Sequence, residues 1–183
     1  MGGMGSSSHS LRSGGLVVLT RPRASDASEF LRRAKASASV LAPWVYPPTT
    51  ALEFDAYLRR TRRRDQSSFF VRDPDGGLTG VVNLSNIVRG NFHSAYVGYY
   101  LFAGYEGRGR MTEALGLVVR YAFEAMGLHR IEANVQPGNE RSLALVRRCG
   151  FRREGFSPRY LKIGGGWRDH ERWAITVEDL AAG

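Results

Sequence analysis

The loop before residue 111 carries the clearest chemical signal in the sequence. It contains Gly107, Arg108, Gly109 and Arg110 and leads into Met111 and Thr112. The first amides of a helix have no intrahelical acceptors and carry partial positive charge, so they bind anions. Glycines let phosphate oxygens approach such amides, and Arg108 and Arg110 add positive charge. The alternative is a tight strand-to-helix turn that needs glycine for its geometry alone.

The residue types in this loop narrow the choice of anion. No Gly-Lys-Ser/Thr sequence completes a nucleotide P-loop. The third glycine of a dinucleotide-binding fingerprint would fall at position 112, where the chain has Thr112, so a Rossmann site is excluded as well. What remains is an anion site at the start of a helix that follows a block of strands.

A second candidate begins a short helix at Asn139. Asn139 and Ser142 form an N-x-x-S start, and because Asn is among the best N-cap residues, a purely structural cap explains Asn139 equally well. Ser142 has no comparable structural need. A side-chain amide and a hydroxyl on adjacent turns could bind a polar linear ligand and donate a proton to a leaving group.

A third candidate is the carboxylate of Glu132. Side-chain alternation in the strand Arg130–Val135 places Glu132 and Asn134 on one face, opposite Ile131 and Ala133. A carboxylate in a central strand must be paired or must line a cleft, since burial of an unpaired charge is costly. Glu132 is therefore either a site residue or the ion-pair partner of an arginine such as Arg130.

Three other groups are weaker candidates. His170-Glu171 lacks the second histidine of a zinc-binding helix, so we expect no metal. Cys149 closes an amphipathic helix and is interpreted as a packing residue. The run Arg59–Arg64 ends a helix, where cations interact favourably with the macrodipole. Because no aromatic residues are interleaved with this run, it is interpreted as solvated surface, and no direct nucleic-acid binding is expected.

Hydrophobic periodicity places the candidates on one mixed α/β domain over residues 15–183, preceded by residues 1–14 as a Gly/Ser-rich disordered tail or cloning remnant. Helices are predicted over Asp26–Val40, Thr50–Arg64, Met111–Met126 and Glu140–Cys149. Strands are predicted over Leu16–Leu19, Phe69–Val71, Leu78–Ile87, Ser94–Phe102, Arg130–Val135, Arg152–Ile163 and Trp167–Thr176.

Composition sets broad limits on the function. The chain has 183 residues and a formal charge of +9, and all but two of its 26 basic residues are arginine. Such a surface attracts anions, including phosphorylated cofactors, but does not identify a partner. No apolar run approaches the roughly 20 residues of a membrane span, so no membrane association is expected. The single cysteine and the lack of a secretion signal lead us to expect a cytoplasmic protein. The sequence leaves open whether it is a monomer or a homodimer.

Four stretches together resemble the GNAT superfamily of acetyl-CoA-dependent N-acetyltransferases, and within it the RimJ/RimL branch of ribosomal-protein N-terminal acetyltransferases. They read LSNIVRGNFHSAYVGYY, YEGRGRMTEAL, GLHRIEANVQPGNERSLALVRRCGF and GWRDHERWAITVEDL. The similarity extends from about Leu16 to Leu180. It implies an α/β (α+β) GNAT fold: a mixed, mostly antiparallel seven-stranded sheet, splayed at its centre to admit the cofactor and flanked by about four helices.

The resemblance also implies roles for individual residues. Backbone amides of Gly107–Thr112 would bind the pyrophosphate of acetyl-CoA, and the main chain of Leu101 and Phe102 would pair with the pantetheine arm. Asn139 would hold that arm from the other side. Ser142 would protonate the departing thiolate, since Val146 occupies the place of the tyrosine that many GNAT enzymes use. Glu132, through a water, would take the proton of the attacking amine, with Asn134 as the alternative on the same face.

The acceptor is expected to be the N-terminal α-amine of a ribosomal or other protein. An α-amine has a pKa of about 7.7–8.0, against about 10.4 for lysine, so one modest base suits it better. Two alternatives stay open: a small amine such as an antibiotic or polyamine, and a non-catalytic acyl-CoA-binding or nucleic-acid-binding module.

Overall fold

A computed structural model describes residues 10–181, which form a single eight-stranded sheet with the order β1-β2-β3-β4-β5-β6-β8-β7. Its strands are β1 Ser10–Ser13, β2 Val18–Thr20, β3 Gln66–Arg72, β4 Leu78–Val88, β5 Ser94–Leu101, β6 Arg130–Val135, β7 Arg152–Ile163 and β8 Gly166–Thr176. All neighbouring pairs are antiparallel except β5 with β6, which are parallel. The expected mixed, mostly antiparallel architecture is confirmed.

The four predicted helices are present with small changes at their ends, the first of them as two segments, and a short helix that was not predicted follows β8. The helices are α1 Ala27–Ala36, α2 Ala38–Leu41, α3 Ala51–Thr61, α4 Arg110–Glu124, α5 Glu140–Arg148 and the additional α6 Val177–Ala181. The first predicted helix is divided at Ser37, whose hydroxyl donates to the carbonyl of Arg33 at 2.7 Å. Thr50 begins α3 with the predicted capping box: its hydroxyl accepts from the amide of Glu53, and the Glu53 carboxylate accepts from the amide of Thr50.

The eighth strand corrects the expectation of a disordered tail. Ser10–Ser13 form β1 and pair antiparallel with β2, because β2 would otherwise leave its outer backbone groups without partners. The carboxylate of Glu113 in α4 then accepts from the amides of Leu16 and Val17, at 2.9 and 3.1 Å from Oε1. Residues 1–9, the rest of the expected tail, lie outside the described residues.

The two faces of the sheet pack against different helices. On one face, α4 and α5 bury their apolar sides, with Leu115, Val118 and Val146 fully buried, against alternate residues of β5 and β6. On the other face, α1 and α3 form an aromatic cluster over β3 and β4, in which the rings of Phe30 and Phe54 lie 4.9 Å apart. No helix among the described residues is long and apolar enough to span a membrane.

Candidate active site

The parallel strands β5 and β6 separate at the centre of the sheet. Their pairing ends at Val97 with Ala133, although β5 continues to Leu101 and β6 to Val135. On its other side β5 stays paired with β4 as far as Leu101 with Gly80. The far half of β5 therefore has one edge turned towards a gap in the sheet, and Gly98 at the start of this gap is exposed. The splay implied by the family resemblance is thus present.

The glycine loop leads from the gap to the first turn of α4. Gly107 and Gly109 have φ angles of 74° and 75°, which a residue with a Cβ adopts only with strain, so the turn does require glycine. Gly109 is the N-cap residue of α4, and no side chain caps the helix there. Gly107, Arg108 and Gly109 are exposed. The turn therefore requires glycine for its geometry, and this requirement is compatible with an anion site. The amides of Arg110, Met111 and Thr112 form the first turn of α4, which no side chain caps.

Arg110 is folded into this loop. Its guanidinium carbon lies 5.6 Å from the ring centre of Tyr105, and its Nε and Nη1 atoms are buried without a hydrogen-bond partner among the described residues. Tyr105 is fixed in turn by Arg33, whose Nη1 donates to the phenol oxygen at 2.6 Å. Buried donors without acceptors are costly, so an anion at the start of α4 would satisfy a need that the protein leaves unmet.

Leu101 and Phe102, the two residues expected to pair with pantetheine, differ in which of their backbone groups remain available for a hydrogen bond. The amide of Phe102 donates to the carbonyl of Thr79 at 2.9 Å, and its carbonyl accepts from the amide of Tyr105 at 3.3 Å. The Phe102 amide is therefore already used inside the protein. The remaining open edge of β5, from Gly98 to Leu101, offers the backbone with which an extended ligand could pair as an added strand.

Asn139 and Ser142 lie at the other side of the gap, at the start of α5. The side-chain oxygen of Asn139 accepts from the amide of Ser142 at 3.2 Å, which is the cap that the sequence allowed as an alternative. The Ser142 hydroxyl lies 2.6 Å from the hydroxyl of Tyr99 on β5. This contact joins α5 to the open part of β5, so Ser142 is held across the gap between the two separating strands.

Tyr99 is the residue of this pair that the sequence reasoning missed. Burial raises its pKa well above the ordinary value for tyrosine, so the phenol keeps its proton. Tyr99 shares a face of β5 with Val97 and packs against the core next to α4. A hydroxyl on this otherwise apolar face was a possible signal, but its partner on α5 is 43 residues away in the chain and follows only from the fold.

Glu132 forms an ion pair with Arg130, which the sequence analysis gave as the alternative to a role in the site. Its Oε1 accepts from Nε of Arg130 at 3.0 Å, and the same guanidinium also binds Glu154 on β7. Glu132 lies level with Tyr96, next to the last paired residues before the gap. The hydrogen bond with Tyr160, burial and the nearby charge of Glu132 raise the pKa of Tyr96 to about 12.

Asn134 lies one step further along β6, where the gap has opened. It pairs across the sheet with Arg172 on β8, and register places both side chains on the Glu132 face. Its Oδ1 and Nε of Arg172 are buried without hydrogen-bond partners among the described residues. The structure therefore brings Glu132 and Asn134 together on one face, and Ser142 with Tyr99 on the opposite face.

His170 is a second residue that sequence reasoning did not place at this site. It is 3% exposed and lies on the same face of β8 as Arg172. Its Nδ1 lies 2.9 Å from the carbonyl oxygen of Arg168, and since a carbonyl only accepts, Nδ1 carries the proton. Burial lowers the pKa of His170, which favours a neutral ring at pH 7. No group of three or more metal-binding side chains occurs within residues 10–181.

Comparisons with known proteins show the family to which the chain belongs. A family model described as "Acetyltransferase (GNAT) domain" matches residues 17–152. The chain is 45% identical to the [ribosomal protein uS5]-alanine N-acetyltransferase of Escherichia coli over 116 residues, which cover 63% of this chain and 60% of that enzyme. It is also 45% identical to the probable N-acetyltransferase YjcK of Bacillus subtilis over 124 residues, which cover 67% and 68%.

The fold of a solved relative extends the match over most of the chain. The structure of Mycobacterium smegmatis RimJ in complex with CoA-disulfide superposes with a TM-score of 0.84 at 34% identity, and the match covers 91% of this chain and 84% of that one. The family model covers well over half of the sequence, and it includes the gap between β5 and β6 and the start of α4. The chain is a member of the GNAT acetyltransferase family.

Proposed function

We propose that this protein transfers the acetyl group of acetyl-CoA to the N-terminal α-amine of a ribosomal or other protein. The observation that carries the proposal is the arrangement around the gap: an open edge of β5 runs towards the uncapped start of α4, and the Tyr99–Ser142 pair spans the opening. One relative that is 45% identical is named as a [ribosomal protein uS5]-alanine N-acetyltransferase, which supports an acceptor of this kind.

The residues present fit acetyl-CoA. The diphosphate needs an exposed run of amides and positive charge, which Gly107–Thr112 and the unpartnered Nε and Nη1 of Arg110 offer. The pantetheine arm needs backbone partners, for which the open edge of β5 near Leu101 is suited, with the side-chain amide of Asn139 across the gap. When bound, acetyl-CoA supplies an acetyl group already activated as a thioester. The protein mainly has to align the amine and move two protons.

Ser142 is the proposed donor of the first proton. Its hydroxyl protonates the thiolate as it leaves, and the resulting alkoxide takes a proton back from water once the products have left. The hydroxyl of Tyr99, 2.6 Å away, holds the Ser142 hydroxyl in position and keeps its own proton. Both groups are neutral and lie on the face covered by α4 and α5. A fixed neutral donor is suited to a leaving group that becomes negative only during the reaction.

Glu132 is the proposed acceptor of the second proton, from the amine, through a water. Its Oε1 is held by Arg130, while Oε2 has no partner among the described residues. Asn134, whose Oδ1 is unpartnered among the described residues, would accept a hydrogen bond from the same amine. The two proton transfers therefore occur on opposite faces of the sheet. The proton donor Ser142 and the proton acceptor Glu132 are thus kept from exchanging a proton with each other.

The α-amine is favoured over lysine because of its pKa. Near pH 7 roughly a tenth of an α-amine with a pKa of about 7.7–8.0 is already unprotonated. The pKa of lysine, at about 10.4, lies roughly three units above this pH, so a lysine amine depends far more on a base in the protein. One carboxylate acting through a water suits the smaller of these two demands.

The test is acetyl-CoA turnover against peptides that begin with Ala or Ser, with the same peptides blocked at the N-terminus, a lysine side-chain amine and a polyamine as comparisons. We expect a mass increase of one acetyl group at the free N-terminus only. Acetylation of the polyamine but no peptide would replace the protein acceptor with a small amine. Binding of coenzyme A without turnover of any acceptor would leave a non-catalytic module.

A further inference from the structure

A cationic cavity lies at the end of the sheet opposite the gap. It has a volume of about 410 Å³ and is lined by the residues that follow β2, the end of α3 and the start of β3. The pairing of β3 and β5 with β4 shows where the cavity lies along the sheet. Gln66 in the cavity wall pairs with Ser85, whereas Leu101 at the gap pairs with Gly80 at the other end of β4. The cavity is therefore separate from the site proposed for acetyl-CoA.

Four arginines line this cavity, and none of its lining residues is Asp or Glu. They are Arg21, Arg23, Arg62 and Arg63. Arg63 is neutralised by Asp65, since Nε–Oδ1 and Nη2–Oδ2 are both 3.0 Å. The side chains of Arg21, Arg23 and Arg62 have no carboxylate partner in the part of the chain that the structure describes. Three uncompensated guanidinium groups around one concave surface create a strongly positive potential.

Arg21 is the fixed member of this group. Its Nη1 donates to the hydroxyl of Ser67 at 2.7 Å and to the carbonyl of Ser68 at 3.2 Å, while Nη2 donates to the hydroxyl of Tyr121 at 3.2 Å. The guanidinium also lies over the rings of Phe69 and Tyr121, 4.6 and 5.7 Å from their centres. A guanidinium has five N–H donors, so two remain free on a cation already held in place.

We propose that this cavity binds a phosphate ester of about nucleotide size. Planar guanidinium groups recognise phosphate oxygens through paired hydrogen bonds, and a preorganised arginine loses little freedom on binding. The volume falls in the range of about 300–1,000 Å³ that small-molecule sites occupy, which is more than a single phosphate ion needs. The phosphate comes either from a free nucleotide-like molecule or from the backbone of a single nucleic-acid strand.

This proposal differs from the sequence-based interpretation of Arg59–Arg64 as solvated surface. That interpretation rested on the lack of interleaved aromatic residues in the run. The fold places Phe69 and Tyr121, from β3 and α4, against Arg21, and it turns Arg62 and Arg63 towards the same cavity. The proposal does not depend on the acetyl transfer proposed above.

The experiment compares two double variants of the full chain that lose the same charge. The first is Arg23→Ser with Arg62→Ser, which removes two exposed arginines of the cavity. The second is Arg59→Ser with Arg64→Ser, which removes two exposed arginines beside it. Binding of a fluorescein-labelled twelve-nucleotide oligouridylate is measured by anisotropy between 50 and 200 mM NaCl. Unlabelled uridine monophosphate and inorganic phosphate serve as competitors, and thermal unfolding checks that both variants are folded.

We expect the cavity variant to bind the oligonucleotide at least tenfold more weakly. The slope of log affinity against log salt should become shallower by roughly 1.4, or about 0.7 for each single-strand phosphate that the variant no longer neutralises. The second variant should stay within about twofold of the parent chain. Competition by uridine monophosphate would assign the cavity to a free phosphate ester, and its failure to compete would assign it to a strand. Equal weakening in both variants, or no binding of any probe, would overturn the proposal.

Discussion

The face of the sheet that packs against α4 and α5 carries neutral hydroxyls at the gap, whereas the opposite face carries charges in ion pairs. On the first face Tyr99 and Ser142 form one short contact, and burial keeps the phenol protonated. On the second face Arg130 holds both Glu132 and Glu154, and its hydrogen bonds lower the pKa of Glu154. The two faces therefore suit opposite proton transfers, donation on the first and acceptance on the second.

This difference shows how a thin sheet can separate an acid from a base. Side chains of neighbouring residues in a strand point to opposite faces, so Tyr99 faces away from Tyr96, three residues earlier on β5. A gap between β5 and β6 is then the one passage between the two faces at this position among the described strands. A reaction placed in the gap has access to both sets of groups.

The largest effect should follow from loss of the neutral donor. For Ser142→Ala we expect kcat to fall by about 10²-fold, the lower part of the range for a general acid, with little change in KM. Tyr99→Phe should lower kcat less, and the double variant should match Ser142→Ala alone, because Tyr99 acts through Ser142. Steady-state kinetics with an N-terminal peptide measures all three.

Tyr100→Phe is the matched control for this prediction. Tyr100 follows Tyr99 on β5 but faces the aromatic cluster beside α1 and α3. We expect its kcat to stay near that of the parent chain. If Tyr99→Phe and Tyr100→Phe lower kcat equally, the hydroxyl pair has a packing role and the donor lies elsewhere.

A smaller and pH-dependent effect should follow from loss of the base. For Glu132→Gln we expect kcat/KM to fall roughly tenfold at pH 7, where about nine tenths of an α-amine is protonated. The loss should shrink as the pH rises through about 8, because the amine then loses its proton to solvent. The pH profile of kcat/KM, recorded from below the pKa of the amine to above it, measures this.

Two outcomes would separate the base from a structural ion pair. A pH-independent loss accompanied by a lower melting temperature would show that Glu132 serves only to position Arg130. His170→Asn provides the comparison on the same face: burial lowers the pKa of His170, so the ring stays neutral across this pH range. If the loss of kcat/KM in His170→Asn becomes smaller as the pH rises, and the loss in Glu132→Gln does not, the base is His170 on β8.

The neutral face was easier to predict from sequence than the charged one. Local propensity alone predicts Asn139 as the N-cap of a helix, as the structure has it for α5. The helix predicted after the glycine loop is also present, and α4 begins at Arg110, one residue before the predicted start. The partner of Ser142 and the choice between two roles for Glu132 depend on contacts between distant segments. Likewise β1 could not be predicted, because a polar Gly/Ser-rich segment forms a strand only when β2 offers an edge.

A moderate effect on acetyl-CoA binding should follow when a methyl group is added at Gly109 in the loop before α4. In Gly109→Ala the left-handed φ of 75° costs about 1–2 kcal/mol for a residue with a Cβ, although the added atom meets only Leu16 at 3.5 Å. We expect the Kd for acetyl-CoA to rise about fivefold and the KM for the peptide to stay unchanged. Calorimetric titration measures the first value and kinetics the second.

Gly116→Ala is the control for the loop variant. Gly116 lies inside α4, where nothing is within 4 Å of an added Cβ, and alanine in a helix interior is favoured over glycine by about 1 kcal/mol. It should raise the melting temperature without changing acetyl-CoA affinity. Equal affinities in Gly109→Ala and the parent chain would remove the loop from the cofactor site and leave its glycines a purely structural role.

The smallest effect on the site should come from a helix cap away from the gap. Thr50→Ala removes the hydroxyl that accepts from the amide of Glu53 at the start of α3. We expect a loss of about 1 kcal/mol and a melting temperature lower by roughly 2–4 °C for a chain of this size. The affinity for acetyl-CoA and kcat should both stay within about twofold, since α3 packs on the sheet through the aromatic cluster and not at the gap. A large change in kcat alone would mean that the charged face of the gap depends on α3, and the two faces could then no longer be treated as independent.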